Sequence, residues 1–479
     1  MHKLLATTTA TRPTGSPPQR KLFKISNGYF KGRLAALYQN SSSGIVLQYA
    51  NYPYSTWSDA QLVASNCHDS PFSAIMDSNG NIYIAFSGTD LKIRFVKLTF
   101  SSGFWGVGSP VNAVSVDNNY NPFIFKDDSG KLWCFFVNHR ISVDSNYYVR
   151  AISSVNDGQN WGTGDTDLGA QLSAATSQIC YVTACQVGSL LYAIYATGRS
   201  NLNYRAYDLA AAAWDSENSI HSGDYIDDDF AVTVSADKRL GLTFAVSTDA
   251  KLYFKEFNGS YWSGNQEIEA ALSRSPQIKY LGNLPHIIYG KHLGSGYYLI
   301  RHAYKSADNF ISFDFSPFQG LFDMVFLYNE LGGTKFQDKT GAAANESSGD
   351  IFHSESSALV AAIGDCIYLG KQSRFFCAAI VLSTAGANGT VAWEYHNGAQ
   401  WISFTPHSGA YNLDSNDKLV YLWQDADSIP AGWQMNSVNG YSAYWVRARV
   451  VTGFSSTPVG TQIIAAAKSD DISLELEGA

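Results

Sequence analysis

Charge is scarce in this chain: Lys, Arg, Asp and Glu make up 15% of its 479 residues, and acids outnumber bases by 41 to 33. The net charge of -8 leaves no surplus of Lys and Arg to neutralise a phosphate backbone, which excludes general nucleic-acid tracking. No apolar run approaches the roughly 20 residues of a spanning helix, so no membrane span is expected. Met1 to Ala6 holds one Lys and a three-residue apolar stretch, too short for a signal-peptide core, and the chain is expected to fold in a cytoplasm. Cys67, Cys134, Cys180, Cys185, Cys366 and Cys377 include no C-x-x-C pair and do not space with the ten histidines as zinc ligands do. They read as buried thiols, with no metal and no cofactor implied.

Aromatic residues, by contrast, reach 14%, and 40 glycines accompany many Ser, Asn and Thr, a mixture suited to short strands and tight turns. An all-β chain is expected. Residues 1–20 carry Thr, Pro and Gly with almost nothing to bury and read as an extended arm.

From Leu22 a unit repeats. Apolar strands recur as Leu34–Tyr38, Ile82–Phe86, Leu132–Phe136, Leu190–Ile194, Leu240–Phe244 and Pro285–Tyr289, with starts 48, 50, 58, 50 and 45 residues apart. That period, with turn residues such as Asp77-Ser78-Asn79-Gly80 and Asp127-Asp128-Ser129-Gly130 before the strands, predicts a six-bladed β-propeller over 21–310. Trp57, Trp105, Trp161, Trp214 and Trp262 close five of the units. Burying an indole removes about 200 Å² from water, roughly 5 kcal/mol gross, so each reads as an anchor between blades. The sixth unit lacks such a Trp, and the segment Phe23–Tyr29 is expected to supply its outer strand and close the ring.

Ser154-Val155-Asn156-Asp157-Gly158-Gln159-Asn160-Trp161 resembles the Asp-box of sialidase-like propellers, S-x-D-x-G-x-T-W, with Asn156 for Asp and Asn160 for Thr. Weaker echoes are Asn258-Gly259-Ser260-Tyr261-Trp262 and Gly103-Phe104-Trp105. In that family the motif is structural, so the resemblance of Ser154, Asn156, Gly158 and Trp161 implies a fold and no catalytic role. A sialidase also needs three arginines for a carboxylated sugar, a Tyr–Glu pair and an acidic proton donor, and the sequence does not place them. Asp227-Asp228-Asp229 is the one dense carboxylate group, read as a solvated turn or a cation site, with glycosidase acids as the alternative.

Gln48, Arg94, Arg150, Arg205, Lys255 and Arg301 follow the repeated strand at one place in the six units, which predicts a ring of equivalent side chains. The ring is either a structural strand face or a set of saccharide sites between blades, with guanidinium forks on hydroxyls or carboxylates. Six-bladed fucose lectins are similar in architecture.

The period ends near residue 311. Residues 311–325 read as a connector and 326–479 as a C-terminal antiparallel β-sandwich of jelly-roll-like type. Trp393-Glu394-Tyr395-His396-Asn397-Gly398 and Trp401 suggest a hairpin about a type I′ Asn-Gly turn. Tyr444–Val450 alternates after Asn439-Gly440, and Trp393 and Trp445 are expected to be buried in one core. The order Gly364-Asp365-Cys366-Ile367-Tyr368-Leu369-Gly370, Phe375-Phe376, Trp393-Glu394-Tyr395-x-Asn397-Gly398-x-x-Trp401 and Ala443–Arg449 resembles a sandwich module of tailed-bacteriophage tail and baseplate proteins. The resemblance implies a non-catalytic virion component of a tail fibre or baseplate, assembled in the host cytoplasm. Its partners would be other tail proteins and a host-surface saccharide, and a homo-oligomer, with a trimer favoured, is expected. The alternative is a propeller glycoside hydrolase or lyase.

Overall fold

The computed structural model describes residues 21–468 apart from 53, 55, 70–71, 224–225, 227, 295–296, 307–308, 315–319, 424–427 and 466; the arm 1–20 and Asp227 lie outside the described residues. These divide into two compact units, one of residues 21–290 and 302–313, the other of 291–301 and 314–468. Both are all-β, and Thr340–Ala343 is the one α-helix among the described residues. None of them forms a helix long and apolar enough to cross a membrane.

Six consecutive up-and-down sheets, antiparallel wherever the register is described, form a six-bladed β-propeller that takes in the first unit and, in its sixth sheet, residues 291–301. Blade 1 is Leu22–Lys24, Leu34–Gln39, Ile45–Ala50 and Gln61–Ala64; blade 2 is Ser73–Met76, Ile82–Ser87, Ile93–Ser101 and Phe104–Val107, with Val111–Val114 also on its third strand. Blade 3 is Asn118–Lys126, Leu132–His139, Tyr147–Ser154 and Ala170–Gln171. Blade 4 is Tyr181–Val187, Leu190–Thr197, Asn201–Asp208 and Ala213–Trp214, with Asn218–Ser222 also on its third strand. Blade 5 is Phe230–Val234, Leu240–Val246, Lys251–Phe257 and Gln266–Glu269, and blade 6 is Ser273–Leu281, Leu284–Gly294, Tyr297–Ser306 and Asn309–Asp314.

Local chemistry starts each blade. Asp77 and Asp127 cap the turns into their second strands: each Oδ1 accepts two backbone N–H groups, from Asn79 and Asn81 at 2.9 Å and from Ser129 and Lys131 at 3.0 Å. The second strands of blades 2 to 5 are apolar on both faces because each of these sheets is covered by a neighbour on either side. Val96 and Trp105 pack with blade 1, Phe95 with blade 3, Phe135 with blade 4, Phe244 with blade 4, and Phe254 with blade 6.

The turn at Ser154–Trp161 is held by its own side chains. Ser154 Oγ donates to Asn156 Oδ1 at 2.9 Å and accepts from Gly158 N–H at 3.0 Å, Asn160 N–H donates to Asn156 Oδ1 at 2.9 Å, and Trp161 Nε1 donates to Gly158 O at 3.1 Å. Gly158 has φ +86°, and a Cβ there would lie 2.1 Å from the Phe95 ring.

Two expectations for the propeller are corrected. Leu22–Lys24 pairs with Leu34–Ala36 as the innermost strand of blade 1, and the fourth strand of blade 6 is its own Asn309–Asp314. The ordinary four-strand count therefore holds in the sixth unit without borrowing. Of the five closing tryptophans, Trp105 and Trp161 are buried, whereas Trp57, Trp214 and Trp262 are half-buried, so the anchors are unequal.

In the second unit, one sheet runs Gly320–Leu321, Val459–Ala465, Cys377–Thr384, Asp417–Tyr421. The other runs Phe336–Asp338, Met324–Tyr328, Cys366–Lys371, Tyr441–Thr452, Thr390–His396, Trp401–Phe404, with Met435–Val438 also on Tyr441–Thr452. Strands thus begin within 311–325, the stretch expected to be a connector. Trp393 and Trp445 are both buried, but in different cores. Trp393 pairs with Ala448, three positions from Trp445, and an odd separation puts the two indoles on opposite faces of the sheet. Trp393 joins the main core with Phe375, Ile380 and Trp433, and Trp445 packs on the other face with Phe326 and Tyr368. The Trp445 ring fills the space above Gly370, where a Cβ would meet it at 2.5 Å. The turn at Asn397-Gly398 is a four-residue loop between the pair His396 and Trp401, with Asn397 Oδ1 accepting two N–H groups, and is not of type I′. Asn439 and Gly440, with φ +48° and +83° between the pair Val438 and Tyr441, do have that geometry.

Candidate functional site

The six residues expected to form one ring do not share one register. In the third strand of four blades the ladder to the outer strand slips by one residue, and the residues after the slip are Val46, Arg94, Asn203 and Tyr253. On the second strand these face Tyr38, Phe86, Tyr195 and Phe244, and in blade 3 Arg150 faces Phe136 in the same way. Arg94 and Arg150 are thus equivalent. Gln48, Arg205 and Lys255 sit two residues further along, on the same face at another level, and Arg301 is half-buried on the third strand of blade 6. An offset of two residues keeps the face but changes the level, which the spacing of cations along the sequence does not register.

Their contacts are with the protein. Arg94 makes a two-pronged pair with Asp90, 2.8 Å on each prong, over Gly88. Buried Arg150 donates to Asn138 Oδ1 at 3.2 Å, and burial, together with Arg140, lowers its pKa. Gln48 bridges Tyr38 and the Ser58 carbonyl. Arg205 donates to the carbonyls of Asp215 at 2.6 Å and, in blade 3, Gln171 at 3.3 Å; Lys255 reaches the Ile220 carbonyl of blade 4 at 2.7 Å. Both tie a third strand to the preceding blade.

The acidic run is corrected too. Asp228 and Asp229 are buried rather than solvated, and Asp229 ion-pairs with Arg274 and accepts the Ser275 N–H at 2.8 Å, joining the first strands of blades 5 and 6. Burial, then the neighbouring Asp228, raises its pKa to about 6 in spite of Arg274. No group of three or more His, Cys, Asp or Glu that could hold a metal occurs among the described residues.

Where blade 4 carries Asn203 in the position of Arg94 and Arg150, a cleft of about 390 Å³ opens between blades 3 and 4. One wall is the segment entering blade 4, fixed to blade 3 by two hydrogen bonds between Thr176 and Tyr147, on whose ring His139 lies flat at 4.0 Å. The other wall is the hairpin Thr197–Asn201, turned through Gly198 and Arg199 at φ +59° and +57°. At its floor Asn203 Nδ2 donates to Thr197 Oγ1 at 3.3 Å, and the buried Tyr195 hydroxyl donates to Glu217 Oε2 at 2.8 Å. Burial, then the Glu217 carboxylate, pushes the Tyr195 hydroxyl far above its ordinary pKa.

Glu217 Oε1 and the side chains of Ser177, Gln178 and Asn201 have no protein partner among the described residues, and all four residues line the cleft. No aromatic, Lys or Arg does. The arrangement offers hydroxyl, amide and carboxylate groups to a polar, uncharged ligand and no ring to stack on it. None of these residues was singled out in the sequence. The available signal was the 58-residue spacing, the longest of the series, between the strands of blades 3 and 4.

No family model and no curated protein matches the chain. Among solved structures it is similar to a PL25 ulvan lyase bound to -[GlcA(1-4)Rha3S]-, at TM-score 0.49 and 11% identity over 65% of this chain and 86% of that one. It is also similar to a Hadza microbial sialidase (TM-score 0.41, 11% identity, 57% and 63%) and to the SapL1 lectin in complex with alpha methyl fucoside (0.43, 14%, 64% and 100%).

Proposed function

We propose that the chain is a non-catalytic saccharide-binding component of a bacteriophage tail, holding a host-surface glycan in the cleft between blades 3 and 4 and using its C-terminal sandwich for assembly. One observation carries the binding reading: three polar side chains without protein partners among the described residues, those of Ser177, Gln178 and Asn201, converge with the free oxygen of Glu217 on one cleft. Sugar hydroxyls both donate and accept, which suits a mixed lining of carboxylate, amide and hydroxyl groups. Without a stacking ring each site is weak, and copies of the chain in a particle, a trimer for instance, supply avidity of about 10² to 10⁴. The tail assignment rests on the motif order from Gly364 to Arg449.

The test is a glycan array with an assay for released reducing ends. Wild type should bind without turnover, and Asn203→Arg, which restores the side chain of blades 2 and 3, should lower binding at least tenfold with an unchanged melting temperature. Undiminished binding by that variant would remove the cleft from the reading. A second reading, a glycoside hydrolase, is favoured by the Tyr195–Glu217 hydrogen bond. It requires turnover that Tyr195→Phe abolishes.

A further inference from the structure

The cleft has a charge preference built into it. Its one ionisable lining side chain is Glu217, at the third strand's edge in blade 4, and that carboxylate is only half used: Oε2 accepts the Tyr195 hydroxyl at 2.8 Å while Oε1 faces no protein donor among the described residues. Two cations lie near it in the chain and neither is in the lining: Arg199, at the turn of the wall hairpin, has interactions of its own, and Arg205 spends Nε on the Asp215 carbonyl and Nη1 on the Gln171 carbonyl. The position that holds an arginine in blades 2 and 3 is Asn203 here, so that position brings no cation to the lining.

Resting on the saccharide reading above, we infer that this cleft selects amine-bearing saccharides over neutral ones and rejects those carrying a carboxylate, with Glu217 as the specificity determinant. An ammonium placed between Glu217 Oε1 and the Gln178 and Asn201 amides gains a charge-assisted hydrogen bond that a hydroxyl cannot match. A uronic or sialic acid at the same place sets two carboxylates together, with no Lys or Arg among the lining residues to separate them. Sites built to grip acidic sugars need the guanidinium groups that this lining lacks.

The experiment uses the full chain and three probes: a glucosamine oligomer, its N-acetylated counterpart and a galacturonate oligomer, measured by calorimetry at low and at 0.5 M salt. Wild type should bind the glucosamine oligomer at least fivefold more tightly than the N-acetylated one and the galacturonate oligomer at least tenfold more weakly, with the spread shrinking at high salt. Glu217→Gln keeps an acceptor for Tyr195 and should bring the first two probes within twofold of each other. Gln178→Arg, on an exposed side chain that carries no fold contact, should restore galacturonate binding. Equal binding of all three probes by wild type, or an unchanged order in Glu217→Gln, overturns the charge preference while leaving the cleft a saccharide site. Failure to bind any probe, or binding that Asn203→Arg does not weaken, overturns the saccharide reading itself and this inference with it.

Discussion

Glu394 and Asp229 are buried carboxylates beside arginines, yet their surroundings act with opposite sign. Burial raises the Glu394 pKa, but Arg449 and Arg447 together outweigh it and hold the carboxyl below its ordinary value; the pairs measure 3.0 and 2.6 Å. A lowered native pKa gives stability that is present above the unfolded value and is lost as pH falls through the native one. Asp229 is the reverse, raised to about 6, so its contribution is complete below the ordinary carboxylate pKa and is lost as pH rises through about 6. Glu394→Gln strands two arginines and should destabilise by about 3 kcal/mol at neutral pH, less in acid. Asp229→Asn imitates the protonated form and should cost less at pH 7.5 than at pH 4.5. Urea denaturation of both variants at the two pH values checks this, and parallel trends would contradict the assignment.

At the scale of the element, the turns and strands were legible because their causes are local. Asp77, Asp127 and Gly158 act within a few residues, and a doubly covered strand is written as a continuous apolar run. What depended on a ladder was not legible: the two-residue offset between Arg94 and Arg205, the parity that separates Trp393 from Trp445, and the loop that replaces a type I′ turn at Asn397. The cleft fell in this second class, since its residues meet between blade 4 and the segment that enters it. Two comparisons test the element-level account by chemical denaturation. Trp161→Ala should cost about 3 to 5 kcal/mol, and Trp262→Ala, at a half-buried site, clearly less. Gly158→Ala should cost more than Gly259→Ala, because both have positive φ but only the former meets a ring, Phe95. Equal costs would show that backbone strain alone decides.

For the molecule as a whole, the repeat fixes the blades but not their chemistry. At the equivalent third-strand position, five blades carry Val46, Arg94, Arg150, Asn203 and Tyr253, so the side chain there is cationic in two blades and not in the other three. Sixfold backbone repetition is therefore no sixfold functional symmetry. A ring of like sites would take up several ligands per chain. On the proposed reading the ligand sits in the cleft at Asn203, and titration calorimetry should give a stoichiometry of one saccharide per chain. A propeller of this kind cannot multiply its grip by turning the same face to a glycan; it has to recruit further copies of itself, so attachment should rise steeply with copy number and vanish in the isolated subunit at dilute concentration.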